Sequence, residues 1–444
     1  MSFPKYPAYK DSGVQWLGEV PEHWAVTAIK RNYSIVGGST PKSEISAYWD
    51  GEILWITPAD LSRLRGFNIT ESIRTITTDG LNSCGANLVP AGSIVLSTRA
   101  PIGSIGIAAT ELCTNQGCKS LVPHSDQEPR FLAYLLSIAT LELNVRGKGT
   151  TFLELSADEL GAFRVSIPPR REQRTLAAFL DHETAKIDAL VAEQEKLVAL
   201  LKEKRQSVIS HAVTKGLDPS VPMKDSGVEW LGEVPSHWEV KKVKQLTCRI
   251  SSGKTPLGGN ETYLDEGVLF LRSQNVYDDG LRLDDAVFIS EATHEAMAVS
   301  EVHPNDILLN ITGASIGRSC LIPKEFPVAN VNQHVCVIRL VDSGATPYVA
   351  WFFKSGVAKN QIDLAQNGAA REGLNFEQIG TMLLPLPSAL EQLQIESFLD
   401  AETSKLDALT AEAQSAIALL QERRTALISA AVTGQIDVRH LPPA

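Results

Sequence analysis

The stretch DSGVQWLGEVPEHW at Asp11–Trp24 returns as DSGVEWLGEVPSHW at Asp225–Trp238, 214 residues later, identical at 12 of 14 positions. A 444-residue chain that repeats itself at almost half its length is one unit written twice. The period far exceeds the roughly 20–50 residues of solenoids and propellers, so this is a two-domain duplication and not a repeat array. Two similar units in one chain suit a partner with two-fold symmetry, of which duplex DNA is the commonest.

Each half reads in the same order: the WLGEVPxHW entry, a mixed domain, then a long helix. In the mixed domains short apolar runs are punctuated by Gly, Pro, Asn and Asp. Ile53–Ile56, Ser93–Leu96 and Ser104–Ala108 are examples in the first, and Val268–Leu271, Ile307–Leu309 and Val335–Leu340 in the second. Runs this short and this frequent read as strands. Helical patterns in these domains are few, chiefly Pro129–Leu143 and Tyr348–Asn360. The expected fold is α+β: two pseudo-symmetric, mostly β domains separated by an antiparallel pair of long coiled-coil helices. The expected boundaries are 1–167 (entry segment and first domain), 168–216 (first helix), 217–387 (second entry segment and domain) and 388–444 (second helix and tail).

From Arg171 to Val213, and again from Ala389 to Val432, there is neither Gly nor Pro. Leu180, Ile187, Leu201 and Val208 hold one heptad position, with Leu190 and Leu197 at the companion position. The second copy matches with Leu399, Leu406, Leu420 and Leu427, and with Leu409. FLDHETAKIDAL (Phe179–Leu190) and FLDAETSKLDAL (Phe398–Leu409) agree at 9 of 12 positions. Helices this similar pack most simply on each other, and connectivity then makes them antiparallel. The entry copy after the first helix has no successor after the second, where VTGQIDVRHLPPA follows. The N-terminal copy fills that place, which brings the chain ends together and gives a closed, dumbbell-like molecule.

A net charge of −11 opposes a polyanionic partner. Its distribution softens the objection. Residues 25–167 carry 12 basic and 13 acidic side chains, whereas residues 239–387 carry 13 and 17. Either DNA is bound with help from a more basic subunit, or this chain does not bind DNA. The six cysteines form no C-x-x-C pair and read as free thiols of a reducing cytoplasm. No run of about 18 apolar residues marks a membrane span. Phosphate loops, amino-methyltransferase motifs, G-x-S-x-G and H-E-x-x-H are missing. His23 and His237, each before a Trp, read as packing residues of the entry segments and not as metal ligands. The residues describe a binding protein with no catalytic residues, metal or cofactor of its own.

YWDGEILWITPADL (Tyr48–Leu61), STRAPIG (Ser97–Gly103), NQGCKSL (Asn115–Leu121) and IPPRREQ (Ile167–Gln173), then FLDHETAKID, resemble the specificity subunit of type I restriction–modification systems. GKTP, VLFLRSQNV, ASIG, NQHVCVIRL and LPSALEQ repeat the order in the second half, so the resemblance spans essentially the whole chain. It departs in LPSALEQ, which lacks the double proline, and in Asn332-Gln333-His334 for Asn-Gln-Gly. The resemblance implies a non-enzymatic, cytoplasmic subunit whose two target-recognition domains each read half of a split site in double-stranded DNA. It implies that the helices dock two modification (methyltransferase) subunits, through Leu180, Ile187, Leu190, Leu197 and Leu201 and through Leu399, Leu406, Leu409 and Leu420. Motor-nuclease restriction subunits join them. S-adenosylmethionine, ATP and Mg belong, on this resemblance, to those partners. The alternative is a coiled-coil adaptor without a DNA role.

Comparing the halves sorts the residues. Positions alike in both serve what both units do; positions that differ are where two half-sites are read. Thr40-Pro41 with Thr255-Pro256, Ile102-Gly103 with Ile316-Gly317, Asn115-Gln116 with Asn332-Gln333, and Gly149 with Gly368 read as scaffold. Candidate DNA-binding residues are Arg63, Arg65, Arg99, Lys119, Arg146 and Lys148 in the first half. In the second they are Lys254, Arg272, Gln274, Asn275, Asn310, Thr312, His334, Asn367 and Arg371. Arg and Lys pair with guanine O6 and N7, and Asn and Gln with adenine N6 and N7.

Overall fold

The computed structural model describes residues 3–99, 101–124, 127–147, 153–256, 258–259, 263–366 and 373–440. The chain forms two compact units, one of residues 1–194 with 415–444 and one of residues 195–414. Each unit takes one mixed domain and a portion of both long helices, so the division runs inside the helices.

In the first unit the apolar runs become a five-stranded sheet. Its order is Tyr33–Gly37, Cys118–Pro123, Ile94–Ser97, Ile105–Ala108 and Asn68–Ile69. Every residue of Ile94–Ser97 and Ile105–Ala108 is buried, which is why these strands read as continuous apolar runs and not as alternating ones. A three-stranded sheet pairs Leu112–Thr114 in parallel with Leu54–Ile56. The second unit repeats this skeleton. Val335–Leu340 lies between Thr247–Ser252 and Ile307–Asn310, and Ala329–Val331 runs parallel to Leu269–Leu271. The shorter helical patterns each break once. Pro129–Ile138 gives way at Ala139 to Thr140–Val145, and Thr346–Lys354 gives way at Ser355 to Gly356–Gln366. The Ser355 hydroxyl donates to the Phe352 carbonyl and accepts from the Ala358 N–H, so it ends one helix and caps the next.

The long helices run over Arg170–Lys215 and Ala389–Val432. Inside the first unit, Leu176 and Leu180 share a core with Ile428, Ala431 and Val432, and further along Asp188 receives Arg424. In the second, Arg205 reaches Asp407, while Ile209 and Val213 share a core with Ile395 and Leu399. One index rises as the other falls, so the packed segments are antiparallel in each unit. The seam is not the one the heptads suggest. Leu180, Ile187 and Leu399 are buried within the chain, and Leu201, Leu406 and Leu420 are half-buried. The companion leucines Leu190, Leu197 and Leu409 face outward, 53%, 42% and 49% exposed. Their place in the seam goes to Thr184, Val191 and Val198, and to Thr403 and Thr410. The hydroxyls of Thr184 and Thr403 donate to the carbonyls of Leu180 and Leu399, each at 2.6 Å, which lets a threonine occupy a buried position.

Both helices start and stop by the same devices. Glu172 accepts from the Trp24 indole at 3.0 Å and the Tyr6 hydroxyl at 2.6 Å, and lies 2.8 Å from His23 Nε2. Glu391 holds Trp238 at 3.3 Å and His237 at 2.8 Å. Both histidines are exposed, and each is engaged by a carboxylate of its helix start. Gln173 and Gln392 donate to the carbonyls of Pro168 and Pro387. At the far ends Gly216 and Gly434 take φ of +77° and +76°, the left-handed stop that favours glycine. A Cβ on Gly216 would stand 3.2 Å from the Trp238 ring, and one on Gly434 would meet Pro21 and Trp24. The tail beyond Gly434 packs on the N-terminal entry segment: Asp437 N–H donates to Pro4 O at 2.8 Å, and the Arg439 guanidinium lies 4.8 Å over Tyr6. The N-terminal copy does fill the vacant place.

Two outcomes follow. Asp188→Arg opposes Arg424, an exposed pair, so it should destabilise by about 1 kcal/mol, and adding Arg424→Asp should recover most of it in a double-mutant cycle of urea unfolding. Glu172→Gln should cost about 1–3 kcal/mol, because the buried indole and phenol lose a charged acceptor, and Glu391→Gln less. Burial raises the Glu391 carboxyl, but hydrogen bonds from His237, Ser388 and Trp238 outweigh it and hold the group below 4.5. Its contribution is therefore present above that value and fades as pH falls through the lowered one, and the pH dependence of unfolding should lose this component in Glu391→Gln.

Candidate nucleic-acid interface

One exposed pair is built identically in both units. Thr40 Oγ1 donates to Gln116 Oε1 at 2.5 Å, and Thr255 Oγ1 donates to Gln333 Oε1. Behind each glutamine an asparagine carboxamide accepts the N–H two residues on, Asn115 from Gly117 at 2.9 Å and Asn332 from His334 at 3.1 Å. Gly38 and Gly253 allow the close approach: a Cβ at either would fall within 2.3 Å of backbone oxygen. Of the other shared positions, Gly103 and Gly317 hold φ of +110° and +84°, while Gly149 and Gly368 lie outside the described residues.

Backbone bonds beside this frame fix which residues correspond. Thr98 N–H donates to Gly117 O where Ile311 N–H donates to His334 O, and Leu155 N–H donates to Thr98 O where Leu374 N–H donates to Ile311 O. Arg99 therefore stands where Thr312 stands, each beside an isolated bridge. His334 matches Gly117, which puts Lys119 opposite Cys336.

In the first unit Arg63 and Arg65 are exposed after the Pro58–Ser62 turn, and neither has an ion-pair partner among the described residues. Arg99 donates to Glu154 at 2.5 Å, and Lys119 lies 3.7 Å from the other oxygen of that carboxylate. The Arg99 hydrogen bond holds the Glu154 carboxyl below its usual range. Lys119 is itself buried on the Cys118–Pro123 strand, and burial lowers its ammonium against the pull of Glu154. A base edge cannot reach it, which removes it from the reading set. Arg146 stacks 5.2 Å over Phe163, whose other neighbour is Trp16 of the entry segment. Lys148, Asn367 and Arg371 lie outside the described residues.

The second unit gathers several candidates into one open cleft of about 420 Å³, where Gln274, Thr312 and His334 meet. His334 Nδ1 lies 2.5 Å from Thr312 Oγ1 and its Nε2 3.1 Å from the Gln333 amide, so the shared Thr–Gln pair continues into the cleft. Lys254 is exposed on the adjoining loop. Three assignments are corrected. Asn275 is fully buried: its carboxamide accepts the Arg272 N–H and donates to the Arg282 carbonyl, a turn cap like that of Asp60 on Thr57. Asn310 is fully buried and donates to Ser273 O and Ser315 Oγ. Arg272 is spent on the Asp285 carbonyl at 2.6 Å and its carboxylate at 3.7 Å. Sequence reasoning missed Arg318, which lines the same cleft with Tyr277. Arg318 stands where the first copy has Ser104, so extending the comparison of the halves past Gly103 and Gly317 would have found it.

Reaction chemistry has no comparable footing. Ser34 and His124 approach to 3.2 Å in an open recess, and no hydrogen bond from the other ring nitrogen to a carboxylate is seen among the described residues. No group of three or more metal-ligating side chains occurs among the described residues, and no helix there is long and apolar enough to cross a membrane.

The family model for the type I restriction modification DNA specificity domain matches the chain twice, over residues 21–198 and 235–418. The MjaIX type I restriction enzyme specificity subunit of Methanocaldococcus jannaschii is 26% identical over 434 residues, 96% of each chain. The EcoBI specificity subunit of Escherichia coli is 24% identical over 339 residues, 74% of this chain and 70% of that one. A chain from a structural study of complex assembly and conformational transition in the type I R-M system superposes with a TM-score of 0.72 at 15% identity, covering 93% of this chain and 98% of its own. The HsdS subunit of Thermoanaerobacter tengcongensis gives 0.51 at 16% identity, covering 94% and 98%. At such identities the likeness is one of fold. Two matches to one family model, together spanning most of the sequence and falling on the two units, establish that the chain belongs to the type I restriction–modification DNA specificity family.

Proposed function

We propose that this chain is the DNA-recognition subunit of a type I restriction–modification complex, each unit reading one half of a split site in double-stranded DNA. The observation that carries the reading is a frame built twice with different side chains set into it. The Thr–Gln pair, the asparagine turn and the strand skeleton recur, while Arg99 gives way to Thr312 and Gly117 to His334. A frame that recurs positions two units alike; residues that change within it read two different sequences.

The chain contributes no catalytic group in this reading. Two modification subunits dock on the long helices and supply S-adenosylmethionine chemistry, restriction subunits supply ATP- and Mg-dependent chemistry, and the complex works in the cytoplasm. Of the helix leucines, Leu190, Leu197 and Leu409 are the ones free to meet a partner. Leu180, Ile187 and Leu399 are consumed inside the chain, and half-buried Leu201, Leu406 and Leu420 line the helix seam. The chain is acidic, which fits a subunit whose partners supply much of the phosphate neutralisation.

Arg63→Ala or Arg65→Ala, assayed in the complex with its modification subunits, should affect the first half-site and leave the second intact. A lost base contact costs roughly 1–3 kcal/mol and shows as tolerance at one position, whereas a lost phosphate contact weakens all sequences and lowers the salt slope by about one. Arg99→Ala should act more weakly, because Glu154 already holds that guanidinium. Sequencing of methylated positions together with salt-dependent binding separates these outcomes.

A further inference from the structure

Two guanidinium groups lie over the Tyr277 ring. The Arg282 guanidinium lies 3.8 Å from its ring centroid and that of Arg318 4.7 Å. Arg282 is neutralised by Asp279 at 3.2 Å. Arg318 forms no ion pair among the described residues, although a neighbouring recess holds Asp278, Asp279 and Asp407. Those carboxylates are already engaged, by Lys359, Arg282 and Arg205. Tyr277 and Arg318 belong to both recesses, and among the described residues the other one, with Ser273, Gln274, Thr312 and His334, is lined by no carboxylate.

The hydrogen bonds also fix what the cleft offers. With the Gln333 carboxamide oxygen assigned to Thr255, its NH₂ faces His334 Nε2. The tautomer that matches this assignment carries its proton on Nδ1 and donates it to Thr312 Oγ1. That leaves the Thr312 hydroxyl hydrogen to point away from His334. A guanidinium stacked by its face on a tyrosine keeps its N–H edge free and planar. The cleft presents two donors, the fork of Arg318 and the hydroxyl of Thr312, beside the Gln274 carboxamide, whose NH₂ is held by Asp285. Guanine is the base whose major-groove edge shows two acceptors, O6 and N7.

We propose that Arg318, braced by Tyr277, is a specificity-determining residue that reads a guanine in the second half-site. The proposal rests on the DNA-recognition reading above and adds to it the residue and the base. The test uses the full chain in complex with its modification subunits and a library of duplexes randomised in both half-sites, with bound and methylated sequences counted. The parent complex should demand a G·C pair at one position of the second half-site. Arg318→Lys, which keeps the charge and loses the fork, should relax that position roughly 5- to 150-fold, and Arg318→Ala at least as much. Tyr277→Leu should relax the same position by less. The first half-site, unchanged throughout, serves as the internal control for folding. Equal weakening on all sequences, with Arg318→Lys retaining most affinity, would make Arg318 a phosphate contact and overturn the proposal. So would an unchanged second half-site, or one without a G·C requirement, while the recognition reading stood. A parent complex with no split-site preference would overturn both.

Discussion

A single carboxylate at the start of each long helix carries much of the fold. Glu172 accepts from the phenol of Tyr6 and the indole of Trp24 and meets the ring of His23, which joins the entry segment to the helix start. Trp24 is fully buried in the core that also holds Phe131, Phe163 and the end of the second long helix, and Gly434 closes that helix against the same indole. Glu391, His237, Trp238 and Gly216 repeat the joint. A charged acceptor shared by several donors is a strong, directional link, and losing it leaves buried N–H and O–H groups unsatisfied. The most closely repeated part of the sequence, WLGEVPxHW, is the part that makes this joint.

The joint fixes where each recognition domain begins and ends, and the domain then varies only where its frame permits. Arg63 and Arg65 extend from a turn held by Asp60 on Thr57, and the equivalent turn in the second unit is held by Asn275 on Arg272. The cap keeps its role while the side chains around it change. The first unit sets Arg99 against Glu154, and the second sets Thr312 against His334, at the same backbone position. Two half-sites can thus be read by one architecture without altering the hydrogen bonds that build it.

Much of this was legible in the sequence. The duplication, the strands Val268–Leu271 and Val335–Leu340, and the second long helix fall where pattern and the absence of Gly and Pro place them. The helix seam was half legible, because a count of Leu and Ile passes over Thr184 and Thr403, whose hydroxyls are satisfied by their own helix. The recognition residues were least legible. Asn275 and Asn310 have the chemistry of base readers, yet both are buried and their amide groups donate to neighbours within the unit. Residue type announces hydrogen-bonding capacity, but only the fold shows whether that capacity is already used. Arg318 makes the converse point: an ordinary arginine in sequence becomes distinctive once Tyr277 braces it and the nearby carboxylates are engaged elsewhere.

The central claim is that the two units read independently because each carries its own complete frame. Exchange of residues 25–167 for those of a relative with a different target, followed by sequencing of methylated positions in the assembled complex, tests it most directly. The account predicts a changed first half of the methylated site with the second half unaltered. A change in both halves would contradict it.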